Sequence, residues 1–436
     1  LTVTANTLSD LDAALKQLYV DSNEAEMFYD ERVGFGLVNK DEMFGGRNTP
    51  VVVTYGRTGG VSPTFATAQT ISALRSKKIE DFLLTGVDEY SIIDVPGKTF
   101  AYTRSRDMAW DMLVSSMAAR ALDDAEANLA DAIEHAIFRD GSGVIAQIKT
   151  VLAATATTTQ VDFTEPDAAM LFELNERFNS VAAASRFGAD IANSNLYCSA
   201  IDVANNKVTF TEVVAGTDDV SNWDATTNPY IRQDGAAPSS ATEATRIKLS
   251  GLMSWAPTTA PTGGDSHFNV DRSASSRLYG KYIDYSGLSR EQALIRASAV
   301  LAKEGGMPNV GLMGISPFRG LIEELGLRKQ DVDMNPVGAR GLVANIAYRG
   351  VWVHGVNGSP IRIMPAAKQI GDEVWMGRME DVTLHSAGPA LNLEDYDGLS
   401  ILRHATEDAY QGRMAFRGQL SVKKPGRSGR FKLQAS

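Results

Sequence analysis

KTFAYTRSRDMAWDMLVSSMAARALDDAEANLADAIEHAIFRDGSG, residues 98–143, has no glycine or proline from Lys98 to Asp140 and then meets two glycines in three residues. Its interior, as in Met117-Ala118-Ala119-Arg120-Ala121-Leu122, is made of strong helix formers. Met108, Met112, Ala119, Leu122, Leu129, Ile133 and Ile137 fall near one stripe, while Asp111, Asp124, Asp131 and Glu134 spread over the other faces. The spacing predicts one helix from Asp107 to Arg139, roughly 50 Å long at 1.5 Å per residue. Asp140-Gly141-Ser142-Gly143 supplies a left-handed stop. A helix longer than a typical domain is wide cannot be covered by one compact core. It needs a long sheet or neighbouring subunits beside it.

Upstream, Val51-Val52-Val53 reads as a short strand, and Phe82-Leu83-Leu84 with Tyr90-Ser91-Ile92-Ile93 reads as the two sides of a hairpin. Gly56 to Gln69 is rich in Gly, Ser and Thr, which predicts an exposed, mobile loop. Residues 1–48 read as an arm. Leu11, Leu15 and Leu18 place a short amphipathic helix between Leu8 and Tyr29, and Gly34, Gly36, Gly45 and Gly46 mark a glycine-rich exit.

Downstream, residues 150–266 turn rich in Thr, Ala, Asp and Asn, with short alternating runs such as Val208-Thr209-Phe210 and a turn at Asn205-Asn206. This reads as a β-rich insertion with long loops in its second half, Gly216 to Asp265. From Phe268 the pattern is α plus β. Ser289-Arg290-Glu291-Gln292 is a capping box that opens a helix through Leu294, Ala297 and Leu301, stopped at Gly305-Gly306. A buried strand follows at Val310 to Met313. Ser316-Pro317 then places a capping serine and a first-turn proline before a helix carrying Phe318, Leu321, Ile322 and Leu325. Val351-Trp352-Val353 and Ile361-Arg362-Ile363 read as strands, and Met414, Phe416, Gly418, Leu420 and Val422 form one apolar face of a period-two strand.

Composition narrows the function. The 436 residues are 44% hydrophobic and 22% charged, ordinary for a folded chain of two or three domains. There is no run of eighteen apolar residues and no signal-like start, so the sequence points away from membrane insertion and secretion. Leu1 is not the small residue that initiator-methionine removal exposes, so either the start codon is uncounted or a protease has removed a leader. The net charge of −11, from 53 acids against 42 bases, disfavours a tight grip on nucleic acid. A single cysteine, Cys198, excludes an intrachain disulfide and reads as a small buried apolar residue.

Signatures of chemistry fail in turn. Gly97-Lys98-Thr99 looks like the end of a phosphate loop, but Ile92 stands where its first glycine belongs and Pro96 precedes it. His135, His267, His354, His385 and His404 include no pair at zinc-helix spacing. The acidic run Glu394-Asp395-Tyr396-Asp397 lacks calcium-loop spacing and reads as a solvated loop. Lys423, Lys424, Arg427, Arg430 and Lys432 read as a basic tail, either solvated or touching nucleic acid or an acidic neighbour.

Several segments, in order, resemble the major capsid proteins of tailed bacteriophages, the family with the Hong Kong 97 phage capsid fold. Ala132-Ile133-Glu134-His135-Ala136-Ile137-Phe138-Arg139-Asp140-Gly141-Ser142-Gly143 looks like the end of that family's spine helix. Lys248-Leu249-Ser250-Gly251-Leu252-Met253-Ser254-Trp255-Ala256-Pro257 with Asn269-Val270-Asp271-Arg272-Ser273 is the second segment. Gly305-Gly306-Met307-Pro308-Asn309, leading to Leu312-Met313 and Ser316-Pro317, resembles the helix-strand-helix step of the axial domain. Trp375-Met376-Gly377, Ser386-Ala387-Gly388-Pro389 and the closing strand before Pro425-Gly426 complete a match that covers most of the chain from about Thr99 to the end.

The resemblance implies an α+β chain. Its parts would be an N-terminal arm (1–48), an extended loop with flanking strands (49–98), a spine helix in a peripheral domain (99–149), a β-rich insertion (150–266), an axial domain (267–385) and a peripheral return with C-terminal strand and tail (386–436). The insertion is longer than a minimal member of the fold needs. The implied function is structural and not enzymatic, with no catalytic residue, cofactor or metal. Copies would form hexamers and pentamers of an icosahedral head around double-stranded DNA, assembled in the host cytoplasm and located in the virion capsid. Partners would be other copies, portal and scaffold or decoration proteins, and packaged DNA held non-specifically, with no membrane. Arg57, Phe65, Lys77, Lys78 and Arg104 are the candidate inter-subunit contacts. Some members of this fold join subunits through lysine and asparagine; no such joining is expected here. Two alternatives stand beside this reading: an encapsulin-type nanocompartment shell, and a soluble hydrolase with its site on residues 150–266.

Overall fold

The glycine-free stretch folds as one α-helix, Met108–Phe138. The structure, a computed structural model, describes residues 32–46, 48–57, 59–74, 78–96, 108–155, 157–182, 186–214, 220–227, 229–237, 246–326, 351–356, 358–394, 401–403 and 408–435. The expected arm helix between Leu8 and Tyr29 lies outside them. Along the second half of the long helix Ala125, Leu129, Ile133 and Ile137 are buried, a repeat of four that keeps one face on the core. The helix stops where expected, with Gly141 at φ +83°, a backbone region that an L side chain rarely adopts.

That face packs on a sheet organised around the strand Ala409–Val422. This strand pairs antiparallel with Val87–Pro96 from Gly418↔Val87 to Ala409↔Pro96, and with Val382–Ser386 from Val422↔Val382 to Gly418↔Ser386. Asn39–Asp41 from the arm adds in parallel to Val382–Ser386, and Asn392–Leu393 and Ile401–Arg403 add short edges. Phe35, Val38, Leu129, Ile133, Leu384, Phe416 and Leu420 belong to one core. The expected alternation holds for Arg413 and Arg417, which face out between buried neighbours. Beyond them both faces close: Gln419 and Ser421 are buried as well.

Phe82–Leu84 does not fold back on Tyr90–Ile93. Ile79–Thr85 pairs instead with Asn48–Thr54, and Val87–Pro96 leaves for the long C-terminal strand. Only Gly86 separates the two strands, too short a link for a two-residue hairpin turn. The expected loop between Gly56 and Gln69 is also only partly a loop, because Phe65–Leu74 is an α-helix. Its ten residues contain no glycine or proline, and Ala68 N–H already donates to the Thr64 carbonyl (3.0 Å).

Among the described residues the strands between 144 and 233 close into a six-stranded barrel. Its order is Tyr230–Gln233, Val144–Ala154, Thr158–Phe163, Lys207–Glu212, Leu196–Asp202 and Arg177–Val181. Thr158–Phe163 and Lys207–Glu212 alternate strictly between half-buried and buried positions, as a barrel wall requires. Phe163, Phe172, Phe178, Phe210 and Trp223 fill the interior with ring centroids 4.5–5.8 Å apart. Cys198 is buried among them, and burial pushes its thiol up to about 12.

The remaining strands form a mixed sheet in the order Lys281–Asp284, Gly429–Lys432, Glu373–Gly377, Val310–Met313, Pro360–Pro365, Val351–His354. Helix Arg290–Lys303 begins as predicted, with Ser289 Oγ accepting from Gln292 N–H. Helix Ile315–Gly326 does not use Ser316 as its cap; the Ser316 N–H donates instead to Asp167 Oδ2 of the barrel (3.0 Å). The basic residues 423–432 are not a free tail, although Lys423, Lys424, Arg427 and Lys432 are exposed. Gly429–Lys432 lies inside this sheet, Arg430 is buried with its Nε 2.9 Å from Glu373 Oε2, and Lys424 and Lys432 pair with Asp381 and Asp284.

Candidate functional site

The hairpin of Asn48–Thr54 and Ile79–Thr85 is anchored along its inner face. Phe82 meets Trp255 edge-on at 5.1 Å, Leu83 N–H donates to the Phe268 carbonyl (3.0 Å), and Arg277 donates to the Tyr55 carbonyl (3.0 Å). Beyond Tyr55 this anchoring ends. Arg57 and Lys78 are exposed on either side of the strand ends, and Phe65, the first residue of the helix, is 84% exposed. The structure thus brings three of the five candidate contact residues to one tip; Lys77 and Arg104 lie outside the described residues.

The tip helix is FATAQTISAL, in which Thr67, Gln69, Thr70 and Ser72 are interleaved with apolar residues, and from Phe65 to Ala73 no residue is buried. With Val61 (90% exposed), Phe65 gives the tip an exposed apolar pair whose cover does not come from the described residues of its own chain.

The arm is held differently. Glu134, fully buried on the long helix, accepts from Gly34 N–H (2.8 Å) and from Phe35 N–H, so its carboxylate caps the first turn of the helix Val33–Leu37 from 100 residues away. Gly34 is needed for that approach: a Cβ there would stand 2.9 Å from both Glu134 Oε2 and the Phe138 ring. Arg32 adds an ion pair with Asp131 (2.8 Å), and Asp131 also meets Lys368 (3.4 Å). Burial, the larger influence, pushes the Glu134 carboxyl above its usual range, against the pull of the two amides.

Sequence reading missed a relay at the arm strand. Asp41 Oδ2 lies 3.0 Å from His385 Nδ1, and His385 Nε2 lies 2.8 Å from Ser421 Oγ. The order of groups matches a serine-hydrolase triad, but Ser421 is fully buried near the end of its strand, opposite Thr383. No acyl group can reach its oxygen, so the relay ties the arm strand to the sheet. The signal for it was hidden in sequence, since its members are separated by 344 and 36 positions. Residues 404 and 395–397 lie outside the described residues. Glu394, from the acidic run, accepts from Arg417.

Beside the long helix a cleft of about 360 Å³ runs between Glu89–Ser91 and the barrel rim at Leu171, Glu173 and Glu176. Glu89 pairs with Lys248, and Asp131 with Arg32 and Lys368. Glu173 and Glu176 have no ion pair among the described residues, and burial raises the Glu176 carboxyl although Gln233 donates to it. His135, at the cleft floor, is held neutral by burial and then by Arg139, Lys368 and Lys248. Among the described residues no group of three His, Cys, Asp or Glu could hold a metal ion, and no helix is long and apolar enough to cross a membrane.

No protein-family model matches the chain, and no curated protein does. Among solved structures it is similar to the cyanophage A-1(L) capsid asymmetric unit at 12% identity and TM-score 0.49, over 95% of each chain. It is also similar to the capsid of the empty GTA particle at 10% identity and TM-score 0.44, over 100% of each chain. A third is the holo-SrpI encapsulin complex from Synechococcus elongatus PCC 7942, at 8% identity and TM-score 0.40, over 97% of this chain and 94% of that one.

Proposed function

We propose that the chain is the structural subunit of a phage head with the Hong Kong 97 capsid fold, assembling into hexamers and pentamers that enclose double-stranded DNA, and that it is not an enzyme. The observation that carries this reading is the exposed hairpin tip, where Val61 and Phe65 are 90% and 84% exposed and no described residue of the same chain covers them. Ring contacts in such a shell are heterologous, one surface patch meeting a different patch on the next copy, and the tip is suited to one side of that contact. The sequence resemblance from about Thr99 onward supports the same reading. So does the 31-residue helix, which is lined by a sheet drawing on three distant parts of the chain. Residues 1–48 then serve as the arm, 49–98 as the extended loop, 99–149 and 386–436 as the peripheral domain, 150–266 as the insertion and 267–385 as the axial domain. The acidic balance keeps DNA from adhering to the wall during packing.

Sedimentation velocity with negative-stain microscopy on the purified chain, with scaffold and portal proteins supplied, tests this. Capsomer rings or closed particles are expected. A chain that stays a 47 kDa monomer at high concentration overturns the reading. Particles filled with cargo enzyme rather than DNA favour the nanocompartment alternative.

A further inference from the structure

We propose that the cavity where the long helix, the inserted barrel and the mixed sheet meet is a binding site for a small monocarboxylate. This does not rest on the shell reading. The cavity holds about 310 Å³, and Phe138, Leu252, Ile370 and Trp375 give it apolar walls. Arg430 lines it too, and is only 4% exposed. Its Nε lies 2.9 Å from Glu373 Oε2 and its guanidinium lies 4.9 Å from the centre of the Tyr282 ring, so the group is held in place. Nη1 and Nη2 are buried, yet neither has a hydrogen-bond partner among the described residues. An arginine keeps its charge in a protein, and a buried charged donor left unpaired is costly, so this end of the side chain calls for an acceptor from outside the chain. Arg139, on the same cavity, donates to His135 Nε2 (3.1 Å) and to the Ile145 carbonyl but has no ion pair among the described residues. The two Nη groups of a guanidinium form a planar fork, and a carboxylate is the planar oxyanion that matches it. The lining also sets the charge of the ligand. Arg139, Arg430 and Lys432 are balanced by Glu165, Asp372 and Glu373, so one negative charge is tolerated better than the two of a phosphate. The apolar walls then take the body of the acid. Arg139 ends the long helix, Gln147 and Thr164 belong to the barrel, and Glu373 and Arg430 belong to the sheet, so the bound acid would join all three.

Isothermal titration of the full chain with benzoate, and with benzamide as an uncharged molecule of the same shape, tests this. Benzoate is expected to fill one site per chain, and benzamide to bind about tenfold or more weakly. Thr164 lines the cavity and is exposed, and it donates to the Gln147 carbonyl through its backbone N–H (2.9 Å), which a substitution keeps. Thr164→Glu should therefore weaken benzoate about tenfold and Thr164→Lys should tighten it, a difference of sign that a purely structural effect would not produce. Arg430→Gln should abolish binding; should that chain fail to fold, the Thr164 pair decides alone. No binding of benzoate at millimolar concentration, equal binding of benzamide, or the same change in both Thr164 variants would overturn the site. The shell reading is untouched by any of these results, because assembly is read separately by sedimentation.

Discussion

At the scale of single residues, the arm depends on a contact with no slack. Gly34 admits no Cβ, since the new carbon would meet the Glu134 carboxylate and the Phe138 ring at 2.9 Å. Gly34→Ala is expected to weaken arm docking by about 1–3 kcal/mol, the usual cost of overpacking. Trypsin would then cut after Lys40 faster than in the parent chain; an unchanged rate would refute the contact's importance. The same arm carries two titrations of opposite sign. Glu134, facing Asp131 and Lys368, has its carboxyl raised by burial above 4.5, so its contribution is complete below 4.5 and is lost as pH rises through the docked-state value. His385, facing Asp41 and Lys423, is lowered from 6.5 by burial, against the pull of Asp41. Its contribution is complete above 6.5 and is lost as pH falls through the docked-state value. The two slopes offset each other. Arm protection between about pH 4.5 and 6.5 should therefore be flatter in the parent chain than in either variant. It should rise with pH in Glu134→Gln and fall with pH in His385→Gln, and parallel profiles in all three would disprove the linkage.

Elements differ in how openly the sequence announces them. The long helix was legible because its apolar period and its glycine stop agree locally, and the helix after Ser289 was legible for the same reason. The hairpin partners were not. Phe82–Leu84 and Tyr90–Ile93 are neighbours in sequence, but Gly86 alone cannot turn the chain, and strand choice was made by a segment more than 300 residues away. The tip helix was obscured by Ser and Thr, which suit loops and helix starts equally. Charge was a fair guide to Lys423, Lys424, Arg427 and Lys432, which are exposed, and misled at Arg430, which register places directly opposite Trp375. Of the candidate site, the exposure of Arg57, Phe65 and Lys78 could be read from the sequence but the helix between them could not, and the Glu134 cap and the His385 relay arise only through tertiary approach. The barrel, whose core is separate from those of the two sheets, gives a further prediction. Phe210→Ala should cost the barrel about 3–5 kcal/mol. Hydrogen exchange should then quicken for barrel amides while those of residues 123–138 keep their protection. Uniform quickening across the chain would show one cooperative unit instead.

For the whole molecule, the notable connection is between residues 409–432 and everything before them. Ala409–Val422 is the strand on which four others converge in one sheet, and Gly429–Lys432 sits between Lys281–Asp284 and Glu373–Gly377 in the other. Neither sheet can close until this stretch has been synthesised. A ribosome that stalls or a message that breaks before residue 409 releases a polypeptide lacking the middle of both layers, with no partner for Val87–Pro96. Copying errors that shorten the product are thereby kept out of the folded state by the topology itself, which acts as an inspection of length.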